Sequence, residues 1–228
     1  MSAGDDRPSI PLFALPNVVH FPGTELKLHV FEPRYRQLVR DLLEAAPDSR
    51  VVGMVLIKPG GGRGGAAEIF PGGTAGQLVD VDHLPDGRSN ILLVGEYRFE
   101  VERELAGSPY RRAVVRPVLE PRLDEEDPGI VAVKRDLVEA VESLSTEVGE
   151  RFPLKAEQLS PGPDLLPFEL LVNRIAADID LPALSKMSLL TDALPERALH
   201  LLGILKSRRQ VLDLLRPFRH LAADSELN

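Results

Sequence analysis

The chain has 228 residues, 43% of them apolar, enough for one large domain or two small ones to bury a core without disulfide or metal staples. It contains no cysteine and no tryptophan, which excludes thiol catalysis and cysteine–metal sites and leaves eight Phe and three Tyr to line any aromatic groove. With 27 Lys+Arg against 35 Asp+Glu, the net charge of -8 is a poor electrostatic footprint for nucleic acid.

The longest apolar run, Val51 to Ile57, contains Gly53 and falls far short of the ~20 residues of a membrane helix. The start, MSAGDDRPS, is acidic where a secretory signal is basic and then apolar, so a cytoplasmic protein without membrane association is expected.

Up to Glu120 the chain reads as short strands separated by turn residues: Ile10 to Leu15, Glu25 to Phe31, Val51 to Lys58, Ala67 to Phe70, Gln77 to Leu84, Asn90 to Glu104 and Arg112 to Leu119. Leu26, Leu28 and Val30 alternate with Lys27 and His29, the period of a strand with one buried face. Pro85-Asp86-Gly87 joins two apolar runs with turn chemistry and predicts a hairpin over Gln77 to Glu104. One helix interrupts the strands. Pro33 marks its first turn, Tyr35, Leu38, Val39, Leu42 and Leu43 form its apolar stripe, and Pro47 ends the pattern. So many short strands predict a small barrel or sandwich over residues 1–120, with the helix packed on it.

EPRLDEEDP, with four acidic residues between prolines, has linker composition and places a boundary at 121–128. From 129 to 228 the period becomes helical. Ile130, Val133, Leu137, Val141, Leu144 and Val148 mark one helix, and Phe168, Leu171, Val172, Ile175 and Ile179 another. A short helical turn fits Leu184, Met187 and Leu190. A last helix runs from Pro195 to Arg216, with Leu199, Leu202, Leu205, Leu212 and Leu215 inward. Pro153 to Pro167 reads as a loop. The predicted class is α+β: a β-barrel with one packed helix, then an α-helical bundle.

Gly60-x-Gly62-x-x-Gly65 matches the dinucleotide fingerprint, but that motif requires a helix opening at its third glycine, and Pro71-Gly72-Gly73 follows too soon for one. There is no Gly-Lys-Ser/Thr of a P-loop and no Gly-x-Ser-x-Gly elbow. Asp80, Asp82, Asp86 and His83 fail the calcium-loop pattern, and the five histidines lack zinc spacing. No cofactor, metal or catalytic residue is expected. Two basic clusters, Arg111-Arg112 with Arg116 and Lys206-Arg208-Arg209 with Arg216 and Arg219, could touch phosphate; the second sits where a helix C-terminus favours cations.

IPLFALP over 10–16, VVHFPG over 18–23 and LHVFEPRY over 28–35 together resemble the opening of the amino-terminal substrate-binding domain of Lon proteases. The resemblance continues through GMVLI (53–57), GTAG (73–76), LPDGR (84–88), GEYRF (95–99), NRIAA (173–177) and KMSLL (186–190), up to Glu196-Arg197 in the last helix. It implies a PUA-like pseudobarrel followed by a helical bundle. Lon proteases carry ATPase and peptidase modules after this region; with the chain closing at Asn228, the expectation is a stand-alone, non-enzymatic recognition module.

The partner then expected is unfolded or exposed apolar polypeptide, or a docking protein. Such a receptor needs exposed apolar side chains with adaptable polar edges. Phe21 and Pro22 in the Val18 to Gly23 loop, with Phe31, Glu32, Arg34 and Tyr35 beside them in the family pattern, are the expected polypeptide-binding residues. The alternative is an RNA-binding PUA-like module, opposed by the net charge and the shortage of aromatics for base stacking.

Overall fold

The computed structural model describes residues 9–62, 67–160 and 165–218; Gly65 of the glycine-rich motif and Arg219 of the second basic cluster lie outside them. The chain divides into two compact units, Met1–Pro121 with Leu181–Thr191, and Arg122–Asp180 with Asp192–Asn228.

The first unit contains strands β1 (Ser9–Leu15), β2 (Glu25–Val30), β3 (Val51–Ile57), β4 (Ile69–His83), β5 (Ser89–Leu105) and β6 (Arg112–Val118), with helix α1 (Pro33–Glu44) between β2 and β3. The sheet order is β2-β5-β4-β3-β1-β6, and a further β5–β6 pairing closes five of the strands into a barrel with β2 added at β5. Among the described residues only β1 and β3 pair in parallel. Both read as continuous apolar runs because both faces are covered. Ile10, Leu12 and Ala14 of β1 join Val55, Ala75, Phe99 and Val115 in the barrel interior, whereas Phe13 faces a second core with Val52, Met54 and the α1 residues Tyr35, Leu38, Val39 and Leu42.

Two glycines make room for the buried ring of Phe99. A Cβ at Gly53 would come within 2.8 Å of it, and one at Gly73 within 2.8 Å of it and 2.3 Å of the Met54 carbonyl oxygen. Gly73 therefore belongs inside a strand, and the separate strands expected at Ala67 to Phe70 and Gln77 to Leu84 are one, β4, running through Pro71-Gly72-Gly73. Pro71 is tolerated there because the β3 register shifts between Val55 and Ile57, a bulge position that asks for no ladder donor. A second irregularity, between Leu78 and Asp80, turns Val79 out to solvent and lets Leu78 and Val81 both reach the α1-side core. The β4–β5 hairpin turns at Pro85-Asp86-Gly87, where Gly87 has φ 77° and its N–H donates to the Leu84 carbonyl at 2.9 Å.

Helix α4 (Ala183–Thr191), expected among the bundle helices, groups instead with the barrel. Arg98 of β5, buried, fixes it there: Nη1 donates to the Leu190 carbonyl at 2.7 Å and Nη2 pairs with Glu120 at 2.6 Å.

The second unit holds α2 (Pro128–Val148), α3 (Phe168–Asp178) and α5 (Leu194–Leu215). Asp127 and Pro128, expected in a linker, are the N-cap and first residue of α2, the Asp127 carboxylate accepting from Gly129 and Ile130 amides at 2.8 and 3.1 Å. On α5 the inward stripe is Leu194, Arg197, Ala198, Leu201, Leu202 and Leu205, while Leu199 and Leu215, expected inward, are exposed. Arg197 displaces the expected phase because its buried guanidinium has partners: Nη1 donates to Asn173 Oδ1 at 2.6 Å and Nη2 to the Asp192 carbonyl at 3.0 Å. Among the described residues no helix is long and apolar enough to cross a membrane.

Candidate functional site

Of the expected polypeptide-binding residues, Phe31, Glu32, Arg34 and Tyr35 lie at the junction of β2 and α1, whereas Phe21 and Pro22 lie in the loop before β2, and the fold divides the six into buried and accessible groups. Phe21 is fully buried and Pro22 is buried as well. The Val18 to Gly23 loop is stitched onto the barrel: Thr74 Oγ1 donates to the His20 carbonyl at 2.6 Å, Thr24 Oγ1 to the Phe21 carbonyl at 2.8 Å, and the Gly23 amide to the Gly95 carbonyl at 2.8 Å. Gly95 permits this approach, since a Cβ there would fall 2.3 Å from the Phe21 oxygen. The expectation of an exposed Phe21 is thus corrected: the backbone bonds to β4 and β5 hold its ring in the interior.

Tyr35 is also core. Its ring stacks on Phe13 at 3.8 Å and 16°, and its hydroxyl donates to the Ala14 carbonyl at 2.8 Å while accepting from the Ala14 amide at 3.1 Å. Burial raises its phenol pKa above the usual value. Tyr35 is the bolt between α1 and β1.

Phe31 is different: it is 60% exposed. The β2 alternation dictates this, since Leu26, Leu28 and Val30 point inward and one more step places Phe31 on the outer face with His29, whose ring centroid lies 6.2 Å away. The next residue fixes the chain direction. Glu32 is extended, Pro33 occupies the first helical position, and the Glu32 carbonyl accepts from the Tyr35 and Arg36 amides at 3.0 and 2.9 Å. Arg34 folds back over this turn, its Nη2 2.8 Å from Glu32 Oε2 and its guanidinium 4.4 Å from the centroid of the Tyr35 ring. Phe31, Glu32 and Arg34 therefore form one accessible surface, an apolar ring beside a paired anion and cation, on a rigid base of Val30 and Tyr35. Phe31 and its orientation could be read from the strand period; the burial of Phe21 could not, because it depends on Thr74 and Gly95, far along the chain.

Several side chains of the basic clusters are ion-paired, while Arg208 donates to the backbone carbonyl of Asp180. Arg111 pairs with Glu104 at 2.7 Å, Arg116 with Glu100, Lys206 with Asp136 at 3.5 Å and Arg209 with Asp213 at 3.3 Å.

Residues 9–207 match the family described as ATP-dependent protease La (LON) substrate-binding domain. The chain is 26% identical over 209 residues to a Lon protease of Flavobacterium johnsoniae, covering 90% of this chain and 25% of that protein. It is 28% identical over 214 residues to Lon protease 2 of Myxococcus xanthus, covering 92% of this chain and 25% of the relative, so it spans about a quarter of the curated relatives' length. Among solved structures, it is similar to the N-terminal domain of a Mycobacterium avium complex Lon protease, with a TM-score of 0.67, 15% identity and coverage of 87% and 98% of the two chains. It is also similar to a Lon N-terminal domain protein from Xanthomonas campestris, with a TM-score of 0.62, 25% identity and coverage of 86% and 98%. With a family match over residues 9–207, most of its length, the chain belongs to the Lon substrate-binding domain family.

Proposed function

We propose that this protein is a non-catalytic recognition module that binds exposed apolar segments of polypeptide at the β2–α1 junction, with Phe31 as the apolar anchor and the Glu32–Arg34 pair as its polar edge. The observation that carries the reading is the 60% exposure of Phe31 on a backbone held rigid on both sides. An aromatic ring kept in water adds nothing to the core, and a pre-ordered one loses little entropy on binding. The family's substrate-binding description supports polypeptide as the ligand. The ion pairing of Arg111, Arg116 and Arg209 favours it over RNA, and a cysteine-free chain suits a reducing compartment such as the cytoplasm.

The protein has no tryptophan, so a tryptophan-containing ligand can be followed by its own fluorescence. With reduced, carboxymethylated lactalbumin as a permanently unfolded ligand, Phe31→Ala is expected to weaken binding by roughly 1 to 3 kcal/mol, the range for one large apolar contact. Affinity should change little with salt, whereas phosphate recognition would lose orders of magnitude. Unchanged binding by Phe31→Ala, or a steep salt dependence, would overturn the proposal.

A further inference from the structure

The second unit contains a groove of about 820 Å³ that the Phe31 surface does not use. Its floor is the buried side chains of Leu144 and Phe152; Val148 of α2 and Ile204, Val211 and Leu212 of α5 form its walls. It follows α5 from His200 to Leu212, about 18 Å at the helical rise, which is the length of a short helix or of five to six extended residues. Gly203 opens the middle of the groove, since a Cβ built there meets nothing within 4 Å. Val211 is 54% exposed at one end of it.

The charges at the rim have a sign. Arg151 and Arg208 both line the groove, and among the described residues neither has a carboxylate partner; Arg208 donates to the backbone carbonyl of Asp180. His200 is held by Asp192 at 2.8 Å, and Asp180 is the acidic residue among the described residues that line the groove. In a chain with a net charge of -8, two guanidinium groups against the single lining carboxylate of Asp180 leave a local excess of positive charge beside one apolar trough. Guanidinium groups at the edge of an apolar groove recognise carboxylates flanking apolar anchors.

We propose that this groove is a second polypeptide site, selective for an apolar segment flanked by acidic residues. The proposal rests on the polypeptide-binding reading for the class of ligand and on none of the residues at the β2–α1 junction.

The test uses the full chain and two amphipathic peptides, Leu/Glu and Leu/Lys, each tagged with one tryptophan, with laurate as a competitor. The Leu/Glu peptide should bind at least about tenfold more tightly than the Leu/Lys peptide, the effect of one well-placed charge contact. Gly203→Phe should fill the groove and weaken the Leu/Glu peptide by at least about tenfold, while Gly203→Ala leaves it bound. Arg151→Glu should narrow the gap between the two peptides. Where Gly203→Phe lowers the melting temperature, Val211→Glu at an exposed lining position provides the same readout. Phe31→Ala should leave the preference for Leu/Glu over Leu/Lys unchanged, so failure at either surface is seen separately. Equal affinity for both peptides, binding indifferent to Gly203→Phe and Val211→Glu, or laurate binding with no peptide bound would each overturn the proposal.

Discussion

Glu125 Oε1 accepts a hydrogen bond from the backbone N–H of Phe168 at 2.8 Å, so a side chain in the acidic stretch before α2 closes the N-terminus of α3. The residue preceding α3 is Pro167, which offers no side-chain cap, and Glu125 fills that role while also pairing with Lys134 at 2.8 Å. Acidic residues between prolines look like a repelling linker until the amide that one of them satisfies is known.

Glu125 should contribute stability with a defined pH dependence. Burial pushes its carboxyl upward, but the Lys134 ammonium and the Phe168 amide together outweigh that, and its pKa lies below the ordinary 4.5. A lowered folded-state pKa means that the contribution is fully present above the unfolded value and disappears as pH falls through the folded one. Urea midpoints of the wild type and Glu125→Gln should therefore differ at about pH 7 and converge as pH falls below 4.5 through the lower folded value. A difference independent of pH would assign the effect to shape and not to charge.

Phe21 and Phe31 should behave as opposites. Phe21→Ala removes a fully buried ring and is expected to cost about 3 to 5 kcal/mol, read as a lower urea midpoint. Phe31→Ala, at a 60% exposed position, should stay within about 0.5 kcal/mol of the wild type. Equal destabilisation by both would mean that Phe31 packs against something in solution, and the binding surface would have to be placed elsewhere.

What the sequence revealed depended on the range of the forces involved. Period-two alternation in β2 and the 3.6 period in α1 and α3 are local consequences of burial on one face, and those elements lie where the pattern puts them. The inward stripe of α5 departs from the leucine spacing because one of its fully buried residues is Arg197, a residue type that enters a core only with partners such as Asn173. The continuity of β4 was hidden by Pro71-Gly72-Gly73, a turn signal everywhere except beside a bulge and a ring as large as Phe99. Half of the candidate site was legible for the same reason: Phe31, Glu32 and Arg34 are placed by their neighbours in the chain, Phe21 by residues on β4 and β5.

Gly73→Ala should be among the most damaging single-methyl additions in this protein. The new Cβ meets the Met54 carbonyl oxygen, which is backbone, and the buried Phe99 ring, and neither can swing aside. Overpacking of this kind costs about 1 to 3 kcal/mol. Gly203→Ala, where the added atom meets open space on a helix, should be neutral or stabilising by up to about 1 kcal/mol. Thermal melts of the pair decide it, and a harmless Gly73→Ala would show that β3 and β4 can separate.

His20 should make the barrel sensitive to mild acid. The residue is 3% exposed, and its Nε2 lies 2.9 Å from the Thr24 carbonyl, which can only accept, so the neutral ring carries its proton on Nε2. Nδ1 has no hydrogen-bond partner among the described residues and faces Gly76, where a Cβ would come within 3.4 Å of it. A second proton would place a charge in this enclosed, partnerless position. Burial accordingly lowers the His20 pKa below 6.5, the Thr24 carbonyl offsetting part of the effect. The unfolded chain then binds the proton more readily than the folded one, so stability is full above the unfolded value and declines as pH falls from 6.5 through the lower folded value. Gln in place of His20 keeps an amide donor within reach of Thr24 and has nothing to titrate. The urea midpoint of the wild type should fall relative to that of His20→Gln as pH drops below 6.5, and parallel curves there would show that the ring is protonated without penalty.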